Sequence, residues 1–244
     1  MISSDAYSDL APTGKLRVGI NHGNPLLATR DPTSGDLHGL AIDLAEELGR
    51  RSGASVEFVG YDTIAKMMEG LKAAAWDIAF LAIGPDRVRE IDFTGAIIEV
   101  EGTCLVPPGS QLHTIADVDR DGVRISVPAN SALELFLSRS FKRAELVRAP
   151  GPDAAFKMLV ESKVEGYAGL RQTLVRNAEK FPGSRVLDGR LMAIGQALGI
   201  PKGRDAGAKY LCEFIEDVKA SGLVARTIEK AGIRGVSVAP RTPM

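Results

Sequence analysis

Cysteine, histidine and aromatic side chains are all sparse in this chain, and each shortage removes a class of function. Cys104 and Cys212 are the only thiols among 244 residues. They lie far apart and lack metal-ligand spacing, so both are expected to be free, without a disulfide framework or a zinc site. His22, His38 and His113 belong to no cluster of His, Cys and carboxylates, and no bound metal is expected. Phe, Trp and Tyr make up 5% of the chain, which argues against a stacked aromatic ligand. No stretch of about 18 apolar residues occurs, and the opening segment holds no apolar leader-type core. Either a leader has been removed and Met1 is not the natural start, which would place the chain in the periplasm, or the chain is cytoplasmic. No G-x-G-x-x-G follows a strand and no G-x-S-x-G is present, so neither a dinucleotide cofactor nor a serine-hydrolase nucleophile is indicated, and no cofactor is expected.

Charge of neither sign dominates. Lys and Arg total 30 against 31 Asp and Glu, a formal charge of −1, so no bulk field draws the protein to nucleic acid or an anionic membrane. A monomer is expected. What the chain does have is length and apolar content: at 45% hydrophobic residues it is large enough to bury a substantial core in one or two lobes.

Strand and helix patterns alternate. Leu16 to Ile20 predict a strand ending in the turn-forming run at 21–25, where Asn21 and Asn24 stand at a strand's carboxyl end. Leu40, Leu44 and Leu48 predict a helix over 40–51, followed by a strand over 56–59, a helix over 64–75 and an almost wholly apolar strand over 77–82. That order argues for an open parallel α/β sheet covered on both faces. The β-rich segment 96–106 leads to the turn at 107–110, and the pattern restarts: strand 123–127, helix 131–140, strand 145–147, helix 153–161, strand 164–169. A return strand over 191–200 and helices over 206–221 and 223–231 complete the chain. The expected organisation is a first lobe of residues 1–104 with 195–244 and a second lobe of 105–194. Two crossings then form a hinge, and concave sites in α/β structures form at such a cleft.

In order and spacing, Gly14-Lys15-Leu16-Arg17-Val18-Gly19, Gly39-Leu40-Ala41-Ile42-Asp43-Leu44-Ala45, Leu71-Lys72-Ala73-Ala74-Ala75-Trp76-Asp77-Ile78-Ala79 and the closing Ser221-Gly222-Leu223 resemble the family 3 extracellular solute-binding proteins of ABC importers, the class that includes periplasmic amino-acid-binding proteins. The likeness runs nearly end to end. It implies a two-lobed venus-flytrap fold that closes on a small carboxylate-containing solute, amino-acid-like or not, with an ABC permease as partner.

The resemblance also assigns roles. Arg87-Val88-Arg89-Glu90-Ile91-Asp92-Phe93-Thr94 matches the segment whose arginine clamps the ligand carboxylate, and a guanidinium's planar fork suits that task. Asn130-Ser131 stands where the family has a hydroxyl-bearing turn at a helix start, so Ser131 caps a helix, contacts the anion, or does both. Ala82 and Gly84 replace hydroxyl residues and leave only backbone N–H groups to serve. Leu170 occupies the position of the aspartate that pairs with an α-ammonium, which makes an ordinary amino acid doubtful as ligand, because an unpartnered buried ammonium costs several kcal/mol. Arg171 would add a second cation suited to a dicarboxylate, or would be an exposed helix residue. Asn21 and Asn24 suit hydroxyl, keto or amide groups. Gln196 on the return strand is a further candidate, and Ile64, Met67 or Ile98 would supply an apolar wall. Two rival functions remain: a cytoplasmic ligand-binding sensor, and a lyase or dehydratase on the same fold with Glu101 as general acid.

Overall fold

The computed structural model describes residues 2–21, 27–31, 33–84, 87–129, 131–232 and 235–242. The chain divides into two compact units, one comprising Met1–Glu99, Gly195–Ile233 and Ser237–Met244, the other Val100–Ile194 and Arg234–Val236. Residues 100–104 thus group with the second unit, and the turn at 107–110 lies inside it.

In chain order the elements are α1 (Ser4–Leu10), β1 (Lys15–Asn21), β2 (Thr29–Arg30), β3 (Leu37–His38), α2 (Leu40–Ser52), β4 (Ser55–Tyr61), α3 (Ile64–Lys72), β5 (Ile78–Ala82), a 3₁₀ turn at Arg87–Arg89 and β6 (Ile91–Phe93). Strand β7 (Ile98–Val106) carries the chain into the second unit. There follow β8 (Arg124–Pro128), α4 (Ala132–Ser140), β9 (Glu145–Ala149), α5 (Pro152–Val160), β10 (Gly166–Leu170), α6 (Arg171–Glu179) and β11 (Arg185–Val186). Strand β12 (Met192–Pro201) returns the chain to the first unit, which α7 (Asp205–Ala220) and α8 (Leu223–Lys230) continue, and β13 (Val236–Val238) is the last element.

In the first unit β1 pairs in parallel with β4 and β5, as the alternating pattern predicts. The return strand runs antiparallel to β5, with Gln196 opposite Ala82, and to β6. Ile78, Ala79, Phe80 and Leu81 are all buried, which explains why β5 reads as a continuous apolar run rather than an alternation. Helix α2 ends at Gly53, whose φ of 75° is left-handed and lets its N–H reach the Gly49 carbonyl. Helix α3 stops at Lys72, short of the periodic pattern's end. Ala74 there adopts a positive φ, and the turn buries Trp76, whose Nε1 donates to the Met67 carbonyl at 2.9 Å. Helix α1 has no strong periodic signal; Ser3 caps it by accepting from the Ala6 N–H.

In the second unit β10 runs antiparallel to β7 and parallel to β8, and β8 is parallel to β9. Successive residues point to opposite faces, so Val106, Ile125, Val127 and Ala168 pack with Leu133 and Leu137 of α4, while Leu105 and Tyr167 pack with Leu159 of α5 and Leu174 of α6. The buried Ser126 hydroxyl is satisfied by the Ala155 carbonyl at 2.9 Å. Helices α4, α5 and α6 each start just after the carboxyl end of a parallel strand: β8, β9 and β10.

One ionic knot fixes the frame of the first unit. Asp77, which immediately precedes β5, has a side chain that is 0% exposed. Its Oδ2 accepts from the Arg17 N–H at 3.1 Å and from Nε at 2.9 Å, and its Oδ1 accepts from Arg17 Nη2 at 2.8 Å and Arg204 Nη1 at 3.0 Å. Arg204 Nη1 also donates to the Asp9 carbonyl, so one carboxylate joins β1, β5, the end of α1 and the start of α7. The Arg17 guanidinium is held above its usual pKa chiefly by its hydrogen bond to Asp77. Asp77→Ala strands two guanidinium groups and lowers unfolding free energy by about 3–5 kcal/mol, measurable as a loss of urea midpoint at unchanged slope.

Candidate functional site

Arg87 is positioned by the end of β5. The Gly84 carbonyl accepts from the N–H groups of Arg87, at 3.0 Å, and Val88, at 3.2 Å. The Arg87 side chain folds back so that Nη1 donates to the Ala82 carbonyl at 2.6 Å. The guanidinium is half-buried, and burial alone lowers its pKa from the ordinary value: no carboxylate of the described residues pairs with it. A charged fork left partly desolvated with one neutral carbonyl retains most of its donors for an anion. Directly across the strand pair from Ala82, Gln196 is 7% exposed, and its Oε1 is buried without a partner among the described residues. Arg87, Ala82, Gly84 and Gln196 therefore gather at one end of the β5–β12 pair. Asn21 closes β1, in register with Tyr61 of β4, and is itself engaged. Asn24 lies outside the described residues.

The second unit holds a cavity of about 270 Å³ at the carboxyl ends of β8 and β10. Ser131 and Leu170 both line it. Ser131 caps α4, its Oγ accepting from the Glu134 N–H at 3.0 Å, so the capping role is met; the neighbouring Asn130 lies outside the described residues. Leu170 is the N-cap residue of α6 and provides no side-chain cap. Leu133, Pro152, Tyr167, Thr173 and Ile194 complete most of the wall, and none of these was singled out from sequence. Their signal was present: a strand followed at once by a helix start, with Pro152 at the first position of α5, marks a loop at a sheet's carboxyl edge.

Arg171 does not offer a free cation. Its Nε donates to Glu101 Oε2 at 2.6 Å, Nη1 to the Leu187 carbonyl at 3.4 Å, and Nη2 to the Gly189 carbonyl. The expected second positive group is thus spent inside the second unit, tying the start of α6 to β7. Glu101, the residue expected to act as general acid in the rival reading, is therefore ion-paired with Arg171. The expected apolar wall is also absent. Met67 and Ile98 are fully buried, and Ile64 packs with Met67 against Trp76, because α3 turns that face into the core beside β5. Among the described residues no group of three or more His, Cys, Asp or Glu is placed to hold a metal ion. No described helix is long and apolar enough to cross a membrane.

Comparison with known proteins gives three concordant results. The family model described as bacterial extracellular solute-binding proteins, family 3, matches residues 16–232. The histidine-binding periplasmic protein of Salmonella typhimurium strain LT2 is 24% identical over 229 residues, spanning 88% of this chain and 86% of that protein. The ABC transporter glutamine-binding protein of Bacillus subtilis strain 168 is 19% identical over 223 residues, spanning 89% of this chain and 81% of that one. Among solved structures, an ancestral cyclohexadienyl dehydratase superposes with a TM-score of 0.64 at 24% identity, covering 94% of this chain and 97% of that one. At that identity the likeness speaks for the fold and not for dehydratase chemistry.

The two arginines separate in their effect on folding. Arg171→Ala takes the guanidinium from the part-buried Glu101 carboxylate and from the Gly189 carbonyl, while the Leu187 carbonyl keeps the Thr103 hydroxyl, and costs about 2–3 kcal/mol of stability. Arg87→Ala gives up one carbonyl contact and costs less than about 1 kcal/mol, so urea unfolding of the two variants ranks them.

Proposed function

Because the chain belongs to the bacterial extracellular solute-binding proteins of family 3, we propose that it is the solute-recognising component of an ABC-type uptake system and that Arg87 receives the carboxylate of a small solute. The observation that carries this is the guanidinium itself, half-buried, held in place through the Ala82 carbonyl and neutralised by no described carboxylate. A planar pair of N–H groups matches the two oxygens of a carboxylate, and partial desolvation strengthens the bond. A surface arginine in a purely structural role pairs with an acid, and among the described residues no acid pairs with Arg87.

The other contacts follow from their positions. Gly84 and Ala82 orient Arg87 through their carbonyls, and Gln196 offers an acceptor for a donor on the solute. Ser131 and Leu170 are the candidate contacts of the second unit, and Asn21, with Asn24 and Asn130, completes the set expected from sequence. Arg171 serves to hold α6. The two relatives are named for histidine and glutamine, which supports a solute of about amino-acid size. The Bacillus subtilis relative is named as part of an ABC transporter, which supports a permease as partner, and the Salmonella relative as periplasmic, which supports that compartment. Binding is expected to proceed without covalent chemistry, since the acid nearest to a catalytic role, Glu101, is paired.

Removing one partner of a part-buried charge pair costs about 2–5 kcal/mol, or roughly 30-fold to more than 10³-fold in affinity. Arg87→Ala therefore abolishes measurable binding of the carboxylate solute in calorimetry while the thermal melt without solute is nearly unchanged. Normal binding by the variant would reduce Arg87 to a surface charge.

A further inference from the structure

The cavity of the second unit offers a cation no charged partner in its described wall. Its described lining includes no acidic or basic side chain, and Pro128, Leu133, Pro152, Leu170 and Ile194 give it an apolar wall. The buried Tyr167 hydroxyl is pushed up to about 12, mainly by burial, and stays neutral. Three helices begin at this wall: α4 at Ala132, α5 at Pro152 and α6 after Leu170. Their amino-terminal ends carry partial positive charge, which opposes an ammonium. The acids nearby do not relieve this. Glu134 in the first turn of α4 is taken by Arg148 Nε at 2.9 Å and the Ser138 hydroxyl at 2.7 Å. Asp153 in the first turn of α5 acts on the Tyr167 hydroxyl but lines no part of the cavity; it is exposed in a groove that meets the cavity at Thr173 and also holds Arg176, Glu179 and Lys180. Helix α6 has no acid in its first turn and opens on Arg171. At about 270 Å³ the cavity exceeds the roughly 150 Å³ of an apolar cavity known to take benzene.

We infer that the solute is a carboxylate with an apolar body the size of a branched alkyl chain or a single ring, and with no ammonium group. The inference rests on the carboxylate recognition assigned above and narrows its substrate class. Desolvating an ammonium against helix amino termini is unfavourable without a carboxylate to meet it, whereas a hydrocarbon gains from leaving water for this wall.

Matched pairs of probes test it by titration calorimetry on the full chain: 4-methylpentanoate against leucine, 3-phenylpropanoate against phenylalanine, with acetate, histidine and glutamine as further probes. The deaminated member of at least one pair binds about tenfold or more tighter than its amino partner and than acetate. Leu170→Asp, which puts a carboxylate on the wall and is a favourable helix cap, narrows that gap by about tenfold. Equal or tighter binding of the amino members, histidine or glutamine, lost in Arg87→Ala, overturns the inference and leaves carboxylate recognition standing. Acetate binding as tightly as the larger acids also overturns it. If no probe binds in an Arg87-dependent way, carboxylate recognition fails and the inference fails with it. The wild-type comparison decides the matter even where Leu170→Asp does not fold.

Discussion

The first unit depends on a single buried carboxylate. Asp77 has no access to solvent and is held by two guanidinium groups and a backbone N–H, an arrangement that is costly to assemble and costlier to break. It fixes where β5 begins relative to β1, and it ties the amino-terminal helix and the start of α7 to the same point. Since β5 is a short strand that is buried along its length, fixing its beginning also fixes its end, and that end is where Ala82, Gly84 and Arg87 lie. The placement of the candidate carboxylate clamp is thus a consequence of an ion pair at the other end of the strand.

The molecule uses its arginines in two ways. Arg17, Arg204 and Arg171 are structural: each donates to a carboxylate and to at least one carbonyl of its own unit. Among the described residues Arg87 has a single carbonyl partner, which leaves most of its donors. Residue type says nothing about this division, because all four are the same side chain in sequences of similar polarity. What separates them is the company that folding provides. The acids are divided likewise: Glu101, a plausible proton donor when viewed alone, is committed to Arg171, and Glu134 to Arg148.

Much of the fold was legible in the chain. Period-two and period-3.6 patterns located most strands and helices, Gly53 and Gly222 marked helix ends or starts, and the apolar run at 78–81 announced a strand buried on both faces. Helix α6 was not legible. It opens directly after β10 with Arg171-Gln172-Thr173, a polar start with no capping side chain, so nothing marks where the strand ends and the helix begins. Ile64 and Met67 were legible as hydrophobic but not as core, because which way a helix face turns is set by what the sheet offers it.

Sequence by itself determined the α/β order, the family, and the segment that carries Arg87, since these follow from periodicity and from the spacing of motifs along the chain. Tertiary structure alone decided which charges are spent and which remain available. Arg87 and Arg171 read alike as cations, yet one faces a lone carbonyl and the other a carboxylate 70 residues away in sequence. The cavity beside Ser131 and Leu170 was likewise beyond sequence, because its wall gathers residues from Pro128 to Ile194 that meet only when three helices start at one edge of a sheet. Electrostatic and apolar environments are sums over neighbours in space, and a linear pattern gives only the neighbours in the chain.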